Sequence, residues 1–117
     1  MSLDDALRQL NDTIHSPVRF ALMSALASVD DASYQSLKNE LDIAYGLLSK
    51  HAAILEEAGY VDITKSFLAK KPQTTFRLTR LGRKAYKEHV RALDELRKGL
   101  SLDPPIRFGC VLIRGFA

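Results

Sequence analysis

Eight lysines and arginines and no acid lie between Ile63 and Lys87, the stretch of this 117-residue chain with the plainest chemistry. Clustered cations hold polyanions, because each phosphate they neutralise releases condensed counterions. The imbalance is local. Residues 1–59 carry four Lys/Arg against nine Asp/Glu, or −5; residues 60–98 carry eleven against four, or +7; residues 99–117 carry two against one, which leaves +3 overall. Within the basic part, Lys65, Lys70, Lys71, Thr74 and Arg77 surround the turn-forming run Leu68-Ala69-Lys70-Lys71-Pro72. A second group precedes it: Tyr45, Gly46, Ser49, Lys50 and Ala53 share the outer side of one helix by spacing, with Leu47 at its edge. Gly46 and Ser49 let a partner approach closely, while Ser49, Lys50 and the Tyr45 phenol supply hydrogen-bonding groups.

Other chemistries find no support in the residues. His15, His51, His89 and Cys110 are the only soft metal ligands, and no two have ligand spacing on a shared element. Ser49 and His51 are two apart on a helix and point different ways, so they make no nucleophile and base pair. No glycine-rich phosphate loop occurs. The expectation is a protein that is not an enzyme, with no metal and no cofactor. A single cysteine excludes an internal disulfide. An N-terminus with Asp4 and Asp5 is unlike a signal peptide, and no apolar run approaches the roughly 18–20 residues of a membrane span. A soluble cytoplasmic protein is expected.

The elements that must position these residues follow from periodicity. Ser2 with Asp5 starts a first helix, and Leu3, Leu7, Leu10 and Ile14 form one stripe that predicts helix through residues 1–15. Ser16-Pro17 starts a second, with Val18, Ala21, Leu22, Ala25, Leu26 and Val29 inward. After the polar break Asp30-Asp31-Ala32, Ser33 caps a short helix; a tight connection through Asp42, Ile43 and Ala44 leads to a helix from Tyr45 to Ala58. Its inward stripe is Leu48, Ala52, Leu55 and Ala58, and Gly59 is its left-handed cap. Tyr60–Phe67 and Thr74–Leu78 are rich in β-branched and aromatic residues and predict a hairpin around the basic turn. Thr79 then caps a long helix to about Lys98, with Leu81, Ala85, His89, Ala92, Leu93, Leu96 and Leu100 along one side. The fold class is mainly α with one small β-hairpin, an α+β arrangement.

Two helices in a tight pair, followed at once by a basic hairpin, make the layout of a winged helix-turn-helix. In that layout the second helix enters the major groove of DNA and the hairpin lies on the phosphate backbone. The stretches IHSPVRFALMSAL, YQSLKNELDIAYGLLSKHAAILEEAGYVDITKSF and KKPQTTFRLTRLGRKAY resemble a family of small bacterial and archaeal winged-helix transcriptional regulators related to the MarR and ArsR groups. The resemblance covers roughly residues 7–98. It implies a homodimer on double-stranded DNA, with two recognition helices, two wings and terminal helices forming the subunit contact. The chain departs from the family where a polar residue, often Asn, gives way to Leu47, and where a Leu gives way to Ala52. The second change removes core methylenes worth about 2–5 kcal/mol if nothing fills the space.

On this reading residues 1–99 are one winged-helix domain: 1–15 a dimerisation helix, 33–59 the helix-turn-helix, 60–78 the wing and 79–99 the C-terminal helix. Leu3, Leu7, Leu10, Ile14, His89, Leu93, Leu96 and Leu100 are expected on a two-fold contact. Arg80, Arg83 and Lys84 begin the last helix, where cations oppose the macrodipole and an anionic partner would relieve the cost. Residues 100–117 form an apolar tail, with the run Phe108–Ile113, of unassigned role. No residue pattern marks an effector site, although a groove between long helices of a dimer has room for a small molecule. A protein–protein docking domain is the alternative, and the exposed position of Leu47 suits it.

Overall fold

The computed structural model describes residues 2–99, so the expectations for Leu100 and the 100–117 tail fall outside the described residues. The elements are α1 (Leu3–Gln9), α2 (Pro17–Ala27), β1 (Ala32–Ser33), α3 (Tyr34–Leu41), α4 (Tyr45–Glu57), β2 (Val61–Leu68), β3 (Lys71–Leu78) and α5 (Arg80–Lys98). Helix α2 is central, touching α3, α4, α5 and β3, while α1 lies along α5. Leu22, Met23, Leu26, Leu37, Leu48, Leu55, Val61 and Phe76 form one core between them. No described helix is long and apolar enough to cross a membrane.

The sheet has three strands rather than two. The polar break hides β1, which pairs antiparallel with β3 through Ala32↔Phe76 and Ser33↔Thr75, giving the order β1-β3-β2. Two residues carry no readable period, so tertiary pairing alone makes this a strand. The hairpin closes in two residues, Ala69 and Lys70, both at positive φ. That is the requirement of a type I′ turn, whose twist matches the strands it joins.

Helix α1 stops well short of residue 15. Leu10 is already extended, and Asn11 explains why. Its side chain accepts the Ile14 N–H and donates to the Tyr60 hydroxyl, while its own backbone N–H donates to Nδ1 of His89 at 3.0 Å. Local side-chain bonds of this type replace helical ones. Ile14 and His89, expected on a subunit contact, are instead buried inside the chain itself. Leu81 is exposed rather than part of the inward stripe of α5, where Gly82, Ala85, His89 and Ala92 are buried. Val29 likewise faces solvent, and Met23 joins the core in its place on α2.

Burial holds His89 below the usual imidazole pKa, helped by the neighbouring His15, and burial with Arg19 and Lys50 does the same for His51. The Asn11 donor leaves the His89 proton on Nε2, which has no partner among the described residues. Both groups are therefore protonated more readily in the unfolded chain, which takes up protons near pH 6.5. Stability is full above that value and declines as pH falls below it. Urea midpoints should drop from pH 7.5 to 5.5. His89→Gln, which keeps an acceptor for Asn11, should remove the His89 share of that fall; an unchanged slope would contradict the assignment.

Candidate nucleic-acid interface

Helix α4 begins at Ala44, which offers no side-chain cap to its first N–H groups. Unpaired N–H donors and the positive end of the macrodipole make such a start receptive to anions. At about 100° per residue, Gly46, Lys50 and Ala53 point straight out of α4, all of them exposed. Tyr45 and Ser49 flank them on the side of the hairpin, and Leu47 lies on the opposite flank, 39% exposed. The buried side is Leu48, Ala52 and Leu55, as the stripe predicts, with Ala58 only half-buried. The helix ends in Gly59 at φ 83°, with Tyr60 N–H bonded to the Leu55 carbonyl and Gly59 N–H to that of Glu56. This Schellman closure turns the chain directly into β2.

Tyr34, the first residue of α3, holds the start of α4 in position. Its hydroxyl donates to the Tyr45 carbonyl at 2.7 Å and lies 3.2 Å from the Ser49 hydroxyl. Its ring packs on both Tyr45 and Phe76, with centroids 4.8 and 5.8 Å away. Ser49 is thus partly engaged within the chain rather than wholly free to meet a base edge.

Two concave hollows of about 470 Å³ each lie between α4 and the hairpin and share Tyr34, Tyr45 and Thr74. One runs along Ser49, Ala52 and Ala53 on the helix and Ile63, Lys65 and Phe76 on the sheet. The other runs from Ser33 and Gln35 to Leu68, Lys71, Pro72 and Gln73 near the hairpin tip. Helix α4 and the hairpin therefore border two adjoining hollows, and Lys71 near the tip lines the second. Ala52 borders the first. Its methyl is nonetheless buried, at 2% exposure.

Not every expected cation joins this face. Strand alternation places Lys65, Thr74 and Phe67 on the side of α4 and Arg77 on the other, where it pairs with Asp31 at 3.5 Å. Arg83 donates to the carbonyls of Ala27 and Val29, so it caps the end of α2 instead of waiting for an anion. Glu56 lines the same hollow as Lys65.

The model of the winged helix DNA-binding domain matches residues 18–97. This chain belongs to that family. An uncharacterized protein of Methanocaldococcus jannaschii is 29% identical over 86 residues, 74% of this chain and 94% of that one. Among solved structures, a transcriptional regulator homologue from Pyrococcus horikoshii is 27% identical, with a TM-score of 0.74 over 86% of this chain and 97% of that one. The transcriptional repressor BigR from Xylella fastidiosa is 22% identical, with a TM-score of 0.55 over 85% and 88% of the two chains. NadR, solved in complex with 4-hydroxyphenylacetate, is 24% identical, with a TM-score of 0.63 over 82% and 67%. The last two likenesses show the winged-helix fold alone. Within that fold α3 and α4 take the positions of the helix pair, and the β2–β3 hairpin follows them where a wing lies. The left-handed Asp42 at φ 50° is the turn between the two helices.

Proposed function

We propose that this winged-helix chain binds double-stranded DNA in a sequence-specific manner as a homodimer and so regulates transcription. The shared concave face of α4 and the wing is the observation that carries this reading. On it, Gly46, Leu47, Ser49, Lys50 and Ala53 enter the major groove, and Tyr45 reaches its phosphate rim. Lys65, Lys70, Lys71 and Thr74 of the wing meet one backbone strand, contacts that position the protein without reading sequence. Arg77 is left out of that set because of its pairing with Asp31. Such a reader of chromosomal DNA works in the cytoplasm. A small apolar hollow of about 240 Å³, lined by His15, Ser16, Pro17, Phe20 and Leu93, is the place for a small-molecule effector.

Two-fold symmetry would come from α1 and α5. Leu7 is 62% exposed and Val90 is exposed, while Leu3, Leu10, Leu93 and Leu96 are half-buried, a row more apolar than a lone subunit needs. Leu7→Glu with Leu96→Glu should halve the mass measured by sedimentation while leaving the circular dichroism spectrum of the subunit intact. A dimer that persists in that variant would move the contact elsewhere.

Selection of bound duplexes from a random pool tests the function directly. A palindrome with half-site centres about 34–36 Å apart, one helical turn, is the expected result. Failure to enrich any sequence at low salt would overturn the proposal.

A further inference from the structure

Phe67 is 76% exposed and Leu68 65% exposed, two large apolar side chains on opposite faces of the wing near its tip. Among the described residues, neither belongs to the core or packs against it. The inward side of the hairpin runs from Ile63 and Phe76 through Lys65 and Thr74 to Phe67 and Pro72, and only the first of these pairs touches the core. Five further residues of strand carry the chain from Ile63 to Leu68, roughly 17 Å at about 3.3 Å per residue. Pro72 stands across from Phe67 and fixes its own φ, and the two-residue turn at Ala69 and Lys70 keeps the tip narrow.

The surroundings of this pair are cationic. Lys65, Lys70 and Lys71 are exposed around it, and the chain has no acid from Ile63 to Lys87. An apolar point inside a ring of cations is complementary to an apolar interior behind an anionic rim. A stacked base step between two phosphate strands has that structure. With α4 in a major groove, the tip, which borders the adjoining hollow, reaches across the adjacent backbone to the next minor groove. That groove is about 6 Å wide, while two strands already stand about 4.8 Å apart before side chains are counted. Seating the tip thus requires the groove to open.

We propose that Phe67 is an apolar wedge that enters the minor groove beside each half-site, partly unstacks one base step and bends the duplex. This rests on the DNA-binding reading above and adds a specificity element to it. Pyrimidine–purine steps unstack most easily, so the wedge selects TA or CA/TG at a fixed offset outside each half-site, without a base-edge hydrogen bond.

The test uses the full chain and a duplex from the selection, with 2-aminopurine at successive flanking positions and a donor–acceptor dye pair at its ends. Wild type should raise 2-aminopurine fluorescence at one flanking step and bend the duplex by roughly 20–90°. Phe67→Ala, at an exposed site, should keep the thermal midpoint and the salt dependence of binding while losing the fluorescence rise, the bend and the flanking-step preference. Phe67→Trp should retain all three. A bend and fluorescence rise unchanged in Phe67→Ala would overturn the wedge and leave DNA binding standing. Failure of wild type to bind any duplex would remove both. Phe67-dependent sedimentation with phosphatidylglycerol vesicles, with no unstacking of bound duplex, would assign the tip to lipid and also overturn the wedge.

Discussion

Lys70→Glu together with Lys71→Glu should weaken binding to duplex DNA by about 100-fold at moderate salt, with the fold of the chain unchanged. Both residues are exposed and make no ion pair among the described residues, so their removal costs the subunit little. Their charge has one evident use. Each phosphate contact contributes about 0.9 to the slope of log affinity against log salt, so the four lost by a two-fold dimer should lower its magnitude by about 3.6. Titrations of heterologous duplex at two salt concentrations measure this. A docking domain would show no dependence on either the salt or the lysines. Charge reversal at Arg77 serves as the internal contrast. Its guanidinium already faces Asp31 on the far side of the sheet, so Arg77→Glu should change the slope far less.

What the amino-acid sequence could reveal follows from how local each signal is. The order of helices, the hairpin and the Gly59 closure are written in spacings of two to four residues, and each lies where the periodicity predicts. The end of α1 is not local. Leu10 and Ile14 continue its stripe perfectly, yet Asn11 diverts the backbone toward His89 and Tyr60, partners far along the chain. The same distance hides β1, which exists only because Phe76 and Thr75 lie alongside. At the candidate interface, α4 and the wing were legible because charge and helix spacing mark them. Their mutual placement was not, since it depends on Tyr34 bridging Tyr45 and Ser49. An aromatic residue directly after the Ser33 cap was the one clue. Alternation along β3 could have separated Arg77 from Thr74 beforehand, because residues three apart on one strand fall on opposite faces.

Gly82→Ala and Gly46→Ala should shift stability in opposite directions, although both glycines lie in the first turn of a helix. Helix propensity alone favours alanine by up to about 1 kcal/mol at either site. At Gly46 an added Cβ meets nothing within 4 Å, so the propensity gain should appear as a higher thermal midpoint. At Gly82 that Cβ would overlap the Tyr60 carbonyl oxygen, with the carbonyl carbon 2.9 Å away. The clash is with backbone, and that backbone is committed. The Tyr60 carbonyl accepts the Thr79 N–H at 3.0 Å, and the Thr79 hydroxyl bonds the Gly59 carbonyl while accepting the Gly82 N–H. These bonds clasp the exit of α4 to the entry of α5, so neither strand of the contact can withdraw without breaking the wing at its root. Overpacking against fixed atoms costs about 3 kcal/mol or more, which exceeds the propensity gain. In a domain of this size that lowers the midpoint by roughly 15 °C, read by calorimetry. A midpoint within two or three degrees of wild type would mean that α5 can slide away from Tyr60. The Gly46 variant carries a second readout: its methyl stands on the proposed groove face, so a more stable protein should bind its selected duplex less tightly. Stability and affinity moving apart at one exposed glycine would distinguish a face shaped for a partner from a face that merely meets water.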